Sequence, residues 1–127
     1  MIQVIEVKSY RDLKVWNRAM DLVVLCYQLT SKLPKTEIYG LSSQIQRAAV
    51  SIPANIAEGK GRLHLGDYIH HLSIANGSLK ELETHLLITG RLSYLKNSEL
   101  QPVLELSDEI GRMLNILIEK LKDNKKN

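Results

Sequence analysis

A proline sits inside the most regularly patterned stretch of this chain. In Tyr39–Gly59, YGLSSQIQRAAVSIPANIAEG, the residues Leu41, Ile45, Ala48, Ala49, Ile52 and Ile56 recur at steps of three and four. That spacing stacks them on one face of a helix. Gln46, Arg47, Ser51, Asn55 and Glu58 fall off that face, and Gly59 and Gly61 follow the last periodic residue, where helices stop readily. Pro53 has no N–H to donate and presses its ring on the Ala49 carbonyl, at a cost of about 3 kcal/mol in a helix interior. A helix that continues through such a residue needs packing from outside. Two readings are open: a kink that bends the helix around a core, or an Ala49 carbonyl freed for a partner chain or a ligand. The small residues Ala48, Ala49, Ser51, Ala54 and Ala57 let another helix approach closely.

The rest of the chain reads as three helices that cover this one. Asp12 is placed to cap a first helix running to about Lys32, since its carboxylate accepts backbone N–H groups at the positive dipole end. Leu13, Trp16, Met20, Val23 and Tyr27 form one face of that helix, and Val15, Leu22, Leu25 and Leu29 form another. The core needs one face, so the second suggests another interface. Pro34 ends the connection, Lys35–Ile38 make a turn, and Lys60–His64 make a basic loop after the second helix.

A third helix is expected from Leu65–Asp67 to about Leu92, with the stripe Tyr68, Leu72, Ala75, Leu79, Leu82 and Leu86. Its small residues Ser73, Ala75, Gly77 and Ser78 are candidates to face those of the second helix. Gly90 is either its end or a costly interior glycine. Ser98 and Gln101 match a capping box for a fourth helix, with Pro102 in its first turn. Leu100, Val103, Leu104, Ile110, Met113, Leu114, Leu117 and Leu121 give the last stripe. Four helices with short connections predict an all-α, up-down-up-down antiparallel four-helix bundle over residues 9–121. Residues 1–8 are expected as an extended N-terminal arm and residues 122–127 as a disordered polar tail.

Composition narrows the function classes. The 127 residues suit one domain, and 44% hydrophobic content with no Phe implies an aliphatic core. The single cysteine, Cys26, lies in the apolar run Leu22–Tyr27 and reads as a small core residue in a reducing compartment. That run is far short of the ~20 residues that span a bilayer, and no signal-peptide pattern is present, so the expectation is a cytoplasmic protein with no membrane partner. Net charge is +3, but residues 1–64 carry nine Lys/Arg against five Asp/Glu, whereas residues 65–121 carry five against eight. This asymmetry can steer nucleic acid to one face, pair the two halves of the bundle, or pair subunits.

No catalytic constellation emerges. His64, His70, His71 and His85 lie on or beside the third helix, and His64 and His71 would stand ~10 Å apart there, too far for one ion. Asp67 with His71, or Glu81 with His85, offers two ligands only, and the other helices add no His. No metal and no cofactor are expected. Ser42, Ser43 and Ser51 lack a nucleophile elbow, and Gly59-Lys60-Gly61 lacks the P-loop frame, so an enzyme is not expected. Lys14, Arg18, Arg47, Lys60 and Arg62 remain as candidate nucleic-acid contacts, because phosphate binding needs cations spaced along a surface.

Three segments are distinctive together: Arg11–Trp16 (RDLKVW), Tyr39–Gly59, and Gly77–Thr84 (GSLKELET). They resemble the bacterial four-helix-bundle family encoded within intervening sequences of 23S ribosomal RNA genes, over roughly residues 9 to 95. The resemblance implies a bundle that assembles into a homopentameric ring, with no catalytic reaction. A related group resembles the accessory proteins of diversity-generating retroelements, which implies basic rings associated with nucleic acid and a reverse transcriptase. The expectation is a non-enzymatic homo-oligomer that binds RNA or another nucleic acid through a basic face. The alternative is a scaffold whose ring docks a partner protein.

Overall fold

The structure is a computed structural model that describes residues 9–126. The arm expected over residues 1–8 lies outside the described residues, as does Asn127. Helix α1 spans Lys14–Thr30, α2 Leu41–Lys60, α3 Leu65–Arg91 and α4 Asn97–Lys126, with single 3-10 turns at Tyr10–Asp12 and Lys35–Glu37. α2 packs against α1 and α3, and α4 closes the square against α3 and α1. Hydrogen bonds fix the directions: Gln46 of α2 donates to Thr30 at the end of α1, and Ser107 of α4 donates to Glu83 of α3. The described residues form the expected all-α antiparallel four-helix bundle.

The core is aliphatic. Leu22 and Cys26 of α1, Ile45, Ile52 and Ile56 of α2, Leu72, Leu79, Leu82 and Leu86 of α3, and Ile110 and Leu114 of α4 are fully buried. Each large side chain contributes about 1.5–3 kcal/mol on leaving water, which outweighs the proline in α2. That helix runs unbroken through Pro53, and both Pro53 and Ala49 are buried. The Ala49 carbonyl therefore has no route to a partner or ligand, which removes the second reading of Pro53. At the C-terminal end of α2, a Cβ on Gly59 would lie 2.8 Å from the His71 Cβ, so glycine lets α2 and α3 approach. Gly90 is the penultimate residue of α3, next to its end as one of the two readings had it, and a Cβ there would meet Leu100 at 2.9 Å.

Helix ends depart from expectation in instructive ways. Asp12 does not cap α1. Its carboxylate accepts from the Ser9 N–H at 3.1 Å, while Ser9 accepts from Arg11, so this capping box closes the preceding 3-10 turn. The Leu13 position that opens α1 has no side-chain cap, and Asn17 instead donates to the Arg11 and Leu13 carbonyls. Ser98 and Gln101 do not cap α4 either. Glu99 accepts from the Lys96 N–H at 3.0 Å, two residues earlier than the expected start. Leu95 and Leu100 are both buried at the positions of a hydrophobic staple, and their burial sets that register. Pro102 is consequently the sixth residue of α4 rather than part of its first turn. The expected tail from Lys122 is helical as far as Lys126. Lys122 lies 3.9 Å from Glu119, and lysines suit the negative end of a helix dipole.

α3 ends on a residue that no glycine pattern marks. Ser93 has φ 61°, with its N–H donating to Gly90 and the Tyr94 N–H donating to Thr89, a Schellman arrangement. Serine pays for the left-handed conformation that glycine adopts freely. Replacing Ser93 by Gly is expected to stabilise the protein by about 0.5–1 kcal/mol, read as a higher denaturant midpoint at unchanged slope.

Two ion pairs tie α1 and the turn after it to α4: Arg18 to Glu109 at 2.8 Å and Lys32 to Glu99 at 2.9 Å. The Arg18 hydrogen bond holds the Glu109 carboxyl below its ordinary range, and the Lys96 N–H, followed by Lys32, does the same for Glu99. A carboxylate with a depressed folded-state pKa stabilises fully above its unfolded value and loses that contribution as pH falls through the folded one. Thermal melts should therefore be flat near neutrality and shift downward in acid. The Glu109→Gln variant should start slightly lower at neutral pH and lose less on acidification. An identical acid limb in both proteins would show that the pair does not contribute.

Candidate interaction faces

α1 buries Val15, Ala19, Leu22, Cys26 and Leu29 and turns a second apolar face outward. Met20 is 43% exposed, Val24 57% and Tyr27 47%, and Val50 of α2 beside them is 43% exposed. One groove along this face is lined by Tyr10, Trp16, Met20, Val50, Pro53, Ala54 and Ala57, and another by Val23, Val24, Tyr27, Gln28 and Ser31. The first lies along the α1–α2 seam and the second on α1 and the turn after it, and a hollow that Tyr27 and Val50 both line joins them into an apolar trough. Of the expected face Leu13, Trp16, Met20, Val23 and Tyr27, only Met20 and Tyr27 are exposed, whereas Leu13, Trp16 and Val23 pack half-buried against the core, and Val24 belonged to neither expected face.

The other side of α2 is polar. The Ser51 and Ser78 hydroxyls lie 2.9 Å apart across the α2–α3 seam, and Asn55 donates to the Ser51 hydroxyl at 3.0 Å and to its carbonyl. The Asn55 side-chain oxygen lies 3.1 Å from His71 Nδ1, and Glu58 stands 4.0 Å from His71 Nε2. Pattern reading passed over this row. The signal was the spacing of Ser51, Asn55 and Glu58 off the apolar face of α2, opposite the heptad step from His71 to Ser78 on α3. Of the small residues of α3, Ala75 is buried and Ser78 bonds to α2, whereas Ser73 is exposed and open space surrounds the Cα of Gly77.

The five candidate cations are not gathered on one surface. Arg18 is held by Glu109 and Asp21, and its Nε is buried without a hydrogen-bond partner, so it closes the α1–α4 seam. Arg47 is exposed on α2, lining a hollow with Tyr27 and Val50 on one side and a polar groove with Gln44, Ser51, Ser78 and Glu81 on the other. It makes no ion pair among the described residues. Lys14, Lys60 and Arg62 share one end of the bundle, because the antiparallel order places the start of α1 and the end of α2 at one pole, and Lys14 there is near enough to Glu109 of α4 to act on its charge. Lys60 sits 5.8 Å over the Tyr68 ring, and Arg62 bonds Glu58 at 2.6 Å. Arg11, Lys120 and Lys122 belong to the same pole, interspersed with Asp12, Asp67, Glu119 and Asp123.

Groups with catalytic or metal-binding potential are dispersed. His71 and His85 each stand beside a single carboxylate, Glu58 and Glu81. Among the described residues no three metal-ligating side chains converge. Burial pushes the Cys26 thiol up to about 12, far from a reactive thiolate. No helix among the described residues is long and apolar enough to cross a membrane.

Comparison with known proteins places these features in a family. No curated protein matches the chain. A solved structure from Bacteroides thetaiotaomicron, a protein of unknown function from the S23 ribosomal protein family, superposes with a TM-score of 0.77 at 28% identity, covering 82% of this chain and 97% of that one. The sequence profile of the 23S rRNA-intervening sequence proteins matches residues 11–116. With a four-helix bundle matched over most of its length, this chain belongs to the 23S rRNA-intervening sequence protein family.

Proposed function

We propose that this protein is a non-enzymatic, self-assembling bundle, most simply a homopentameric ring, that presents a repeated pole to RNA or another nucleic acid. The observation that carries the assembly is the apolar trough of Met20, Val24, Tyr27 and Val50. A contiguous apolar face rimmed by polar residues marks an interaction site. The charge asymmetry between residues 1–64 and 65–121 favours contact between unlike faces of successive copies. Head-to-tail contacts of that kind close into rings.

Nucleic-acid binding is supported by the placement of Lys14, Lys60 and Arg62 at the same end of the bundle. A single pole is weakly charged, but repetition around a ring makes each further phosphate interaction intramolecular. Arg18 drops out of the binding set because Glu109 and Asp21 hold it in the α1–α4 seam, whereas Arg62 pairs, among the described residues, only with Glu58 one turn away on the same exposed surface. The second reading, a ring that docks a partner protein, is favoured by Arg47, whose position between an apolar trough and a polar groove suits a protein surface better than a phosphate track.

Light scattering of dilute protein should give a mass of several chains. Replacing Val24 and Tyr27 together by Glu should reduce it to one chain while helix content is kept, since both side chains are exposed in the single bundle. A single-chain mass for the unaltered protein at micromolar concentration would remove the ring.

RNA binding at two salt concentrations tests the pole. Affinity should fall steeply with salt, and replacing Lys14, Lys60 and Arg62 together by Ala should flatten the logarithmic slope by about 0.7–0.9 for each phosphate that is no longer neutralised. Arg47→Ala should leave the slope nearly unchanged. An unaltered slope in the triple variant would move the function to the partner-protein reading.

A further inference from the structure

The loop between α2 and α3 exposes a large apolar side chain close in sequence to the cations Lys60 and Arg62. Leu63 is 98% exposed, with Arg62 and His64 on either side and Lys60 just before. Singly exposed apolar residues are ordinary on protein surfaces. Leu63 differs because its loop is held at both ends. The Gly61 N–H donates to Ala57, the Arg62 N–H to Gly59, and the Asp67 N–H to the His64 carbonyl. Gly59 is itself pressed against Tyr68 and His71. A short loop so fixed holds its leucine away from the core. Tyr39 is similarly exposed, at 97%, but its neighbours Ile38 and Gly40 are uncharged.

We propose that Leu63 is an apolar wedge that enters an unstacked step of bound RNA, so the preferred ligand carries a bulged or single-stranded segment. This rests on the nucleic-acid reading above and names the class of RNA it takes. Aliphatic side chains inserted between base steps are an established means of binding deformable nucleic acid. In RNA the accessible base faces lie in bulges, loops and ends, while an uninterrupted A-form duplex shows stacked bases and a deep, narrow major groove. Lys60 and Arg62 then contact the phosphates that flank the opened step. A lipid bilayer fits the same residues less well, because stable anchoring takes more apolar surface than one leucine supplies.

The test uses the full chain and fluorescence-anisotropy titrations with two RNA probes of equal length, a hairpin with a bulge and an uninterrupted duplex. The Leu63→Ala variant should bind the bulged hairpin about tenfold more weakly. It should keep the salt slope of the unaltered protein and bind the duplex almost unchanged. The Lys60→Ala, Arg62→Ala double variant should instead flatten the slope on both probes. The thermal melt of Leu63→Ala should match that of the unaltered protein, since Leu63 is not part of the core. Equal weakening on both probes, or none on either, overturns the wedge and leaves the nucleic-acid reading standing. Failure of the unaltered protein to bind either probe at low salt overturns both. Leu63-dependent binding to anionic lipid vesicles in place of RNA assigns the loop to membranes and overturns the wedge.

Discussion

The bundle depends on the burial of α2. This helix carries a proline where a hydrogen bond should be, so isolated it would be poor, and its own propensity cannot hold it. Its stability comes from Ile45, Ile52 and Ile56 packed between neighbours on both sides. Close approach at Gly59 draws α3 in, and the Ser51–Ser78 hydrogen bond then gives two hydroxyls a partner across the seam. Without that approach these polar groups would need water at a half-buried seam.

The same helix separates two kinds of surface. Toward α1 it offers small residues and Val50 to an apolar trough, and toward α3 it offers Ser51, Asn55 and Glu58 to a polar row. Apolar area is non-directional and rewards any partner that excludes water, whereas a hydrogen-bonded row rewards only correctly placed groups. The trough therefore suits the bulk of an assembly interface, and the polar row defines how α2 and α3 align.

Much of this was legible from residue spacing. The three-four periodicity of Ile45, Ile52 and Ile56, and of Leu72, Leu79, Leu82 and Leu86, reports burial directly, so helices and core followed. The second face of α1 was legible for the same reason, because Met20 and Tyr27 repeat at helical spacing away from Leu22 and Cys26. Caps were harder. Several residues near each helix start can accept an N–H, and burial of Leu95 and Leu100, not the local Ser98 motif, chose among them. Cation partners were invisible too: Arg18 and Glu109 are 91 positions apart, and no local pattern announces their pairing. The candidate site was thus only partly readable, since a charge becomes available or committed through tertiary neighbours.

The seam that Arg18 and Glu109 close has a kinetic meaning. α1–α2, α2–α3 and α3–α4 are neighbours along the chain and can pair after closing only short loops. The α1–α4 seam joins the two ends of the bundle, bringing together residues 91 and 67 positions apart at its two ion pairs. Closing a longer loop costs more chain entropy, though only logarithmically. The α1–α4 contacts are therefore the ones that carry the largest share of the bundle's loop-closure cost. The same seam, pinned by exposed ion pairs that salt screens, is where the folded bundle would open most cheaply.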